Sequence, residues 1–125
     1  MSVQETVNVT VESGAVTATS SVGICHGLAG EYKLIGLTMV PQAALAADGS
    51  NKYVISVVQG STTVATSLDS SSAAHVAQTA QAFTLSAAGA SLEFGATDVL
   101  KITMTETGTA AMNATYVANF QKVRV

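Results

Sequence analysis

Cys25 and His26 are the first residues to test for chemistry, because a thiol beside an imidazole is the raw material of a cysteine nucleophile. Adjacent residues on an extended chain point to opposite faces, so the pair would not meet one substrate atom or one metal ion. It reads as a buried or connector thiol beside a surface imidazole. The second histidine, His75, sits among small residues and reads as a loop or strand-edge residue with a hydrogen-bonded ring. Serines are plentiful and Asp48, Asp69 and Asp98 supply carboxylates, but no G-x-S-x-G elbow is present. A catalytic triad is a matter of geometry, and here only its ingredients are written in the chain. One Cys and two His without C-x-x-C or H-x-x-x-H spacing make no zinc set. Glu93 with Asp98, and Asp48 with Asn51, offer carboxylates for calcium or glycoside chemistry, yet the D-x-D-x-D-G loop is absent. Asp98 more simply starts a strand, and Asp48 more simply makes a turn. No phosphate-binding glycine motif occurs. The expectation is a protein with no catalytic site, no metal and no cofactor.

The elements that would carry these residues are strands. Val and Thr, whose branched Cβ suits a pleated surface, dominate a chain with only 10% charged residues, against roughly 25% in ordinary soluble domains. Val7, Val9 and Val11 alternate with Asn8, Thr10 and Glu12, which is the period of a half-buried strand. Residues 16–20 read as a return strand and residues 22–30 as a glycine-rich connector. Residues 32–40 read as the strongest strand, with Leu34 on one face and Ile35, Leu37 and Met39 on the other. Pro41 stops it. Residues 43–47 have room for one helical turn, and residues 48–51 form a polar turn. Residues 53–58 and 63–68 make a β-hairpin about Gly60. Residues 83–86 read as a short strand with Phe83 and Leu85 inward, and residues 87–96 as a loop tethered through Leu92 and Phe94. Residues 99–105 form a strand with Leu100, Ile102 and Met104 inward, and residues 115–125 close the chain.

About eight short strands and no credible helix predict an all-β fold: a single two-sheet antiparallel sandwich, with the jelly roll as the arrangement that this count fits and a simpler Greek-key sandwich still open. Residues 30–125 make the sandwich domain. Residues 1–29 are an N-terminal arm or edge hairpin. The run Val7, Val9, Val11 is either an ordinary strand of its own sandwich or an arm that adds to a neighbour's sheet, in which case removing residues 2–12 would leave the fold intact.

Composition also excludes partners. Five basic residues against eight acidic ones, a formal net charge of −3, leave no phosphate-tracking groove for nucleic acid. No apolar run reaches the ~18–20 residues of a membrane span. The start, MSVQETV, lacks a basic and an apolar leader region, and one cysteine allows no internal disulfide, so synthesis in a reducing cytoplasm is expected. A surface this poor in charge offers little resistance to association and suits life in an assembly.

Three segments carry a resemblance. Leu34-Ile35-Gly36, then Val40-Pro41 and the alanine-rich run 43–48, form a hydrophobic strand, a Val-Pro stop and a small turn. Thr62-Thr63-Val64-Ala65 forms a mid-chain hairpin arm, and Asp98-Val99-Leu100-Lys101-Ile102 a late strand, with Thr97 where a glycine is usual. Together they resemble the head decoration, or cement, proteins of tailed bacteriophages; residues 1–29 match nothing in that pattern. The resemblance implies a non-enzymatic virion protein, made in the bacterial cytoplasm and placed on the outer surface of the capsid. Its implied partners are the major capsid protein and itself, as a homotrimer. The contact residues expected are Val7, Val9, Val11, Leu34, Ile35 and Leu37. The alternative is a carbohydrate-binding or adhesive β-sandwich module. Against it, the chain has no Trp, and Tyr32, Tyr53 and Tyr116 fall in strands, where core roles are expected. A small hydrolase on the same fold and a shell-forming capsid subunit stand further back. The latter commonly carries a basic arm, which an N-terminus with Glu5 and Glu12 and no Lys or Arg does not supply.

Overall fold

The computed structural model describes residues 5–24, 31–71, 73–86, 93–95 and 98–122. Cys25, His26 and Leu92 lie outside them. Among the described residues nine strands follow one another: β1 (Thr6–Glu12), β2 (Ser20–Ile24), β3 (Tyr32–Pro41), β4 (Lys52–Gln59), β5 (Thr62–Asp69), β6 (Gln81–Ala82), β7 (Glu93–Phe94), β8 (Leu100–Thr107) and β9 (Ala114–Lys122). They make two antiparallel sheets packed face to face. The first runs β1-β9-β3-β6, with β7 on the same edge of β3 as β6 but at its other end. The second runs β2-β8-β4-β5. With the two-residue β7 set aside, the first sheet holds the first, eighth, third and sixth strands of the chain. The second sheet holds the second, seventh, fourth and fifth. This order is that of a jelly roll, two Greek keys folded onto one core.

The core follows from alternation. Tyr32, Leu34, Leu37 and Met39 of β3 and Tyr116, Ala118 and Phe120 of β9 point inward from the first sheet. Tyr53, Ile55 and Val57 of β4 and Leu100, Ile102 and Met104 of β8 meet them from the second. Phe94 stands edge-on to Phe120, with ring centroids 5.6 Å apart and planes at 82°, the arrangement that aromatic quadrupoles favour. The β4–β5 hairpin turns in two residues, with Gly60 at φ 61° in the first central position, which matches the twist of the strands it joins.

Several expectations need correction. β3 carries a bulge between Leu34 and Gly36, where its pairing with β9 slips by one residue. A one-residue slip reverses which side chains face inward. Leu34, Leu37 and Met39 therefore share the inner face and Ile35 is turned out, which replaces the expected division of Leu34 on one face against Ile35, Leu37 and Met39 on the other. Residues 43–47 form no helical turn: Leu45 instead bridges to His75. The second strand is Ser20–Ile24 instead of residues 16–20, and Val16 makes only an isolated bridge to Met112. The segment after β5 pairs with β3 at Gln81–Ala82 and then crosses to β5, where Leu85 bridges Ala65.

Residues 1–29 supply an edge strand to each sheet. β1 pairs with β9 through seven consecutive residues without a bulge, and Val7, Val9 and Val11 pack against the core. β2 pairs with β8. Of the two alternatives for Val7, Val9 and Val11, the structure takes the ordinary strand.

Candidate functional site

Each of the connections β1–β2, β3–β4, β5–β6 and β8–β9 crosses from one sheet to the other, and all four gather at one end of the sandwich. They are tied to one another through backbone bonds. Val16 and Met112 exchange bonds of 2.7 and 2.9 Å, and Leu45 and His75 exchange bonds of 2.9 and 2.8 Å. The Gln42 N–H donates to the Asn113 carbonyl at 2.7 Å, and the Gln78 N–H to the Pro41 carbonyl at 2.8 Å. Gln78 holds φ 61°, a left-handed conformation uncommon for a residue with a side chain, and its amide also donates to Gln42 Oε1 at 3.0 Å.

Polar side chains brace this end. Asp48 Oδ1 accepts from the backbone N–H groups of Ser50 (2.7 Å) and Asn51 (3.2 Å), closing an Asx turn that holds its carboxyl below the ordinary 3.8. Asn51 Oδ1 accepts from both the N–H and the hydroxyl of Thr109, at 2.9 and 3.0 Å. That contact is possible because Gly108 has φ 76° and no side chain. A Cβ there would collide with the Ser50 carbonyl oxygen and Asn51 Oδ1. Buried Ser70 accepts from the Tyr53 N–H at 3.0 Å, and the Tyr53 hydroxyl donates to the Val16 carbonyl at 3.0 Å. Between these loops lies a depression of about 340 Å³, lined by Ala15, Val16, Thr17, Ala43, Ala44, Ala111, Met112 and Asn113. Its walls are small, mostly apolar, and carry no charge.

The residues singled out for chemistry do not converge. Asp69 accepts from the Ser71 N–H at 2.8 Å, which lowers its carboxyl pKa, and Asp98 accepts from the Gly95 N–H at 2.8 Å. Each aspartate is thus engaged in its own turn. No three His, Cys, Asp or Glu residues come together among the described residues. His75 lies in a loop, as expected, where it bridges to Leu45, but its ring lacks the expected hydrogen bond at Nε2 among the described residues. It is 2% exposed, and burial pushes the ring below its ordinary 6.5. No serine or carboxylate is hydrogen-bonded to its ring among the described residues. The loops that stack around it cause this burial, and nothing in its alanine-rich neighbourhood signalled it. The three tyrosines are 0–4% exposed, so none offers a sugar-stacking platform.

The expected contact residues divide. Leu34 and Leu37 are 0% and 1% exposed and fill the core. Val7, Val9 and Val11 are half-buried along the β1 edge. Ile35 is 47% exposed on the bulge, one of three large hydrophobic side chains exposed among the described residues, with Val76 and Val99. The depression at the loop end was missed by reading the sequence, because it is assembled from three distant runs of alanine and its neighbours. Comparison with protein-family models, curated proteins and solved structures finds no match for this chain.

Proposed function

We propose that this protein is a structural, non-enzymatic virion component: a capsid decoration or cement protein that sits on the outside of a tailed-phage head and braces its major capsid subunits. The observation that carries this reading is the loop end. Three of the four cross-braced connections wall an uncharged depression of about 340 Å³ with mostly small or apolar side chains, a shape suited to seating an apolar side chain of another protein. The charge-poor exterior supports the same reading, since it costs little to desolvate in an assembly. So does the jelly-roll order, an architecture recurrent in capsid proteins. The buried tyrosines withhold support from the sugar-binding alternative.

The test is retention on particles. The purified chain is mixed with emptied heads from a panel of tailed phages, sedimented, and the heads heated. The expected result is saturable co-sedimentation with at least one head type and a rise in its disruption temperature. Ala44→Arg and Ala111→Arg, which place a charge in the depression, are expected to abolish both. Absence of retention across the panel, or retention untouched by both substitutions, overturns this reading.

A further inference from the structure

We propose that the open edge of β1 is the self-association surface of this protein, pairing antiparallel with β1 of a second copy about a two-fold axis at Val9. This goes beyond the capsid reading, does not depend on it, and replaces the three-fold association that the resemblance implies.

The edge is the argument. In the β1–β9 ladder, Ser13 donates to Ala114 and Lys122 donates to Glu5, so residues 5, 7, 9, 11 and 13 turn their backbone groups toward β9. The N–H and C=O groups of Thr6, Asn8, Thr10 and Glu12 therefore point away from the sheet. Among the described residues no strand pairs with them. Natural edge strands are guarded by lysine, proline, a bulge or shortness. β1 has none of these over its seven residues. The other edges are protected. β6 and β7 have two residues each. β5 is covered where Thr66 donates to Thr84 and Ser86 donates to Val64. β2 is shorter, five residues, and holds Gly23, which weakens it as a template.

The strand is also complementary to itself. Centring the antiparallel pair on Val9 places Thr6 opposite Glu12 and Asn8 opposite Thr10, so every open backbone group finds a partner. The same register places Val9 against Val9 and Val7 against Val11, which continues the half-buried inner face across the junction. The two Glu12 carboxylates fall at opposite ends of the pair, each facing a threonine. Slipping the register by two residues either way strands open groups at both ends. The partner that fits is a second copy, and pairing joins the two five-stranded sheets into one.

The experiment is native mass by light scattering and sedimentation over a wide concentration range. A dimer, twice the 12.6 kDa chain mass, is expected. Thr10→Pro removes an N–H that faces outward, so the ladder to β9 survives while the partner strand is blocked. It is expected to give a folded monomer. In a Cys25→Ser background, Val9→Cys is expected to form an intermolecular disulfide on mild oxidation, since residues facing each other in such a pair have Cα atoms about 4.5 Å apart. Val7→Cys alone is not, because its own copy lies about 13 Å along the strand. Paired Val7→Cys and Val11→Cys are. A monomer at every concentration, a trimer, a dimer indifferent to Thr10→Pro, or equal cross-linking of Val7→Cys and Val9→Cys would each overturn the proposal; the trimer would return three-fold association.

Discussion

Two buried atoms without partners decide how single residues act here. Among the described residues Tyr116 Oη and His75 Nε2 are enclosed and have no hydrogen-bond partner. Burial pushes the Tyr116 hydroxyl far above its ordinary 10.0, so it stays a neutral phenol. An unpaired buried hydroxyl is a standing cost, so Tyr116→Phe is expected to hold stability level or raise it by up to about 1 kcal/mol. Tyr53→Phe removes the donor to the Val16 carbonyl and is expected to lower stability by about 1–2 kcal/mol. Urea unfolding of the two variants side by side checks both. His75 makes a pH statement. Its folded-state pKa lies below the ordinary 6.5, so the fold favours the neutral ring. That contribution is fully present above pH 6.5 and is lost as the pH falls through the depressed folded value. Asp48 and Asp69, depressed by backbone N–H donors, act in the same direction but lose their contribution below 3.8. The unfolding midpoint should therefore decline in two separate acid ranges. His75→Phe is expected to flatten the upper one and leave the lower one; an unchanged upper range would remove the buried imidazole as its cause.

At the scale of elements, the β3 bulge is what separates core from surface. Leu37→Ala is expected to cost about 2–5 kcal/mol, the range for emptying a buried leucine site. Ile35→Thr, two residues away, is expected to stay within about 0.5 kcal/mol. Thermal unfolding distinguishes this contrast from the like effects that a regular strand, with Ile35 and Leu37 on one face, would give. Much of the strand layout was legible: Val and Thr alternation marks β1, Leu100, Ile102 and Met104 mark β8, and the glycine turn marks the β4–β5 hairpin. The bulge was not, because one extra residue leaves no pattern beyond Gly36 beside Ile35. β2 was displaced in the reading because Val16 supplies an apolar side chain to the core without belonging to a ladder. The loop end was invisible for a different reason. Its lining consists of residue types with no chemical signature, brought together only by the crossing connections.

For the molecule as a whole, the pairing of β1 with β9 closes the first strand onto the last. Removing residues 1–12 would bare the β9 edge and one flank of the core, together with the Tyr32 hydroxyl bond to Glu5. The truncation is expected to lose the single cooperative unfolding transition of the intact chain, followed by circular dichroism on heating. A fold left intact would restore the arm reading of that segment. The same topology makes almost every pairing distant in sequence, so refolding should be slow, on the order of milliseconds to seconds. The two ends of the sandwich are unlike. One is bound up in four interlocked connections. At the other, β4 turns into β5 through Gly60 and Ser61, both exposed, with open space around the Gly60 Cα. A peptide grafted between those two residues would project away from the loop end and off the β1 edge, which makes the hairpin tip the natural place to display a foreign epitope.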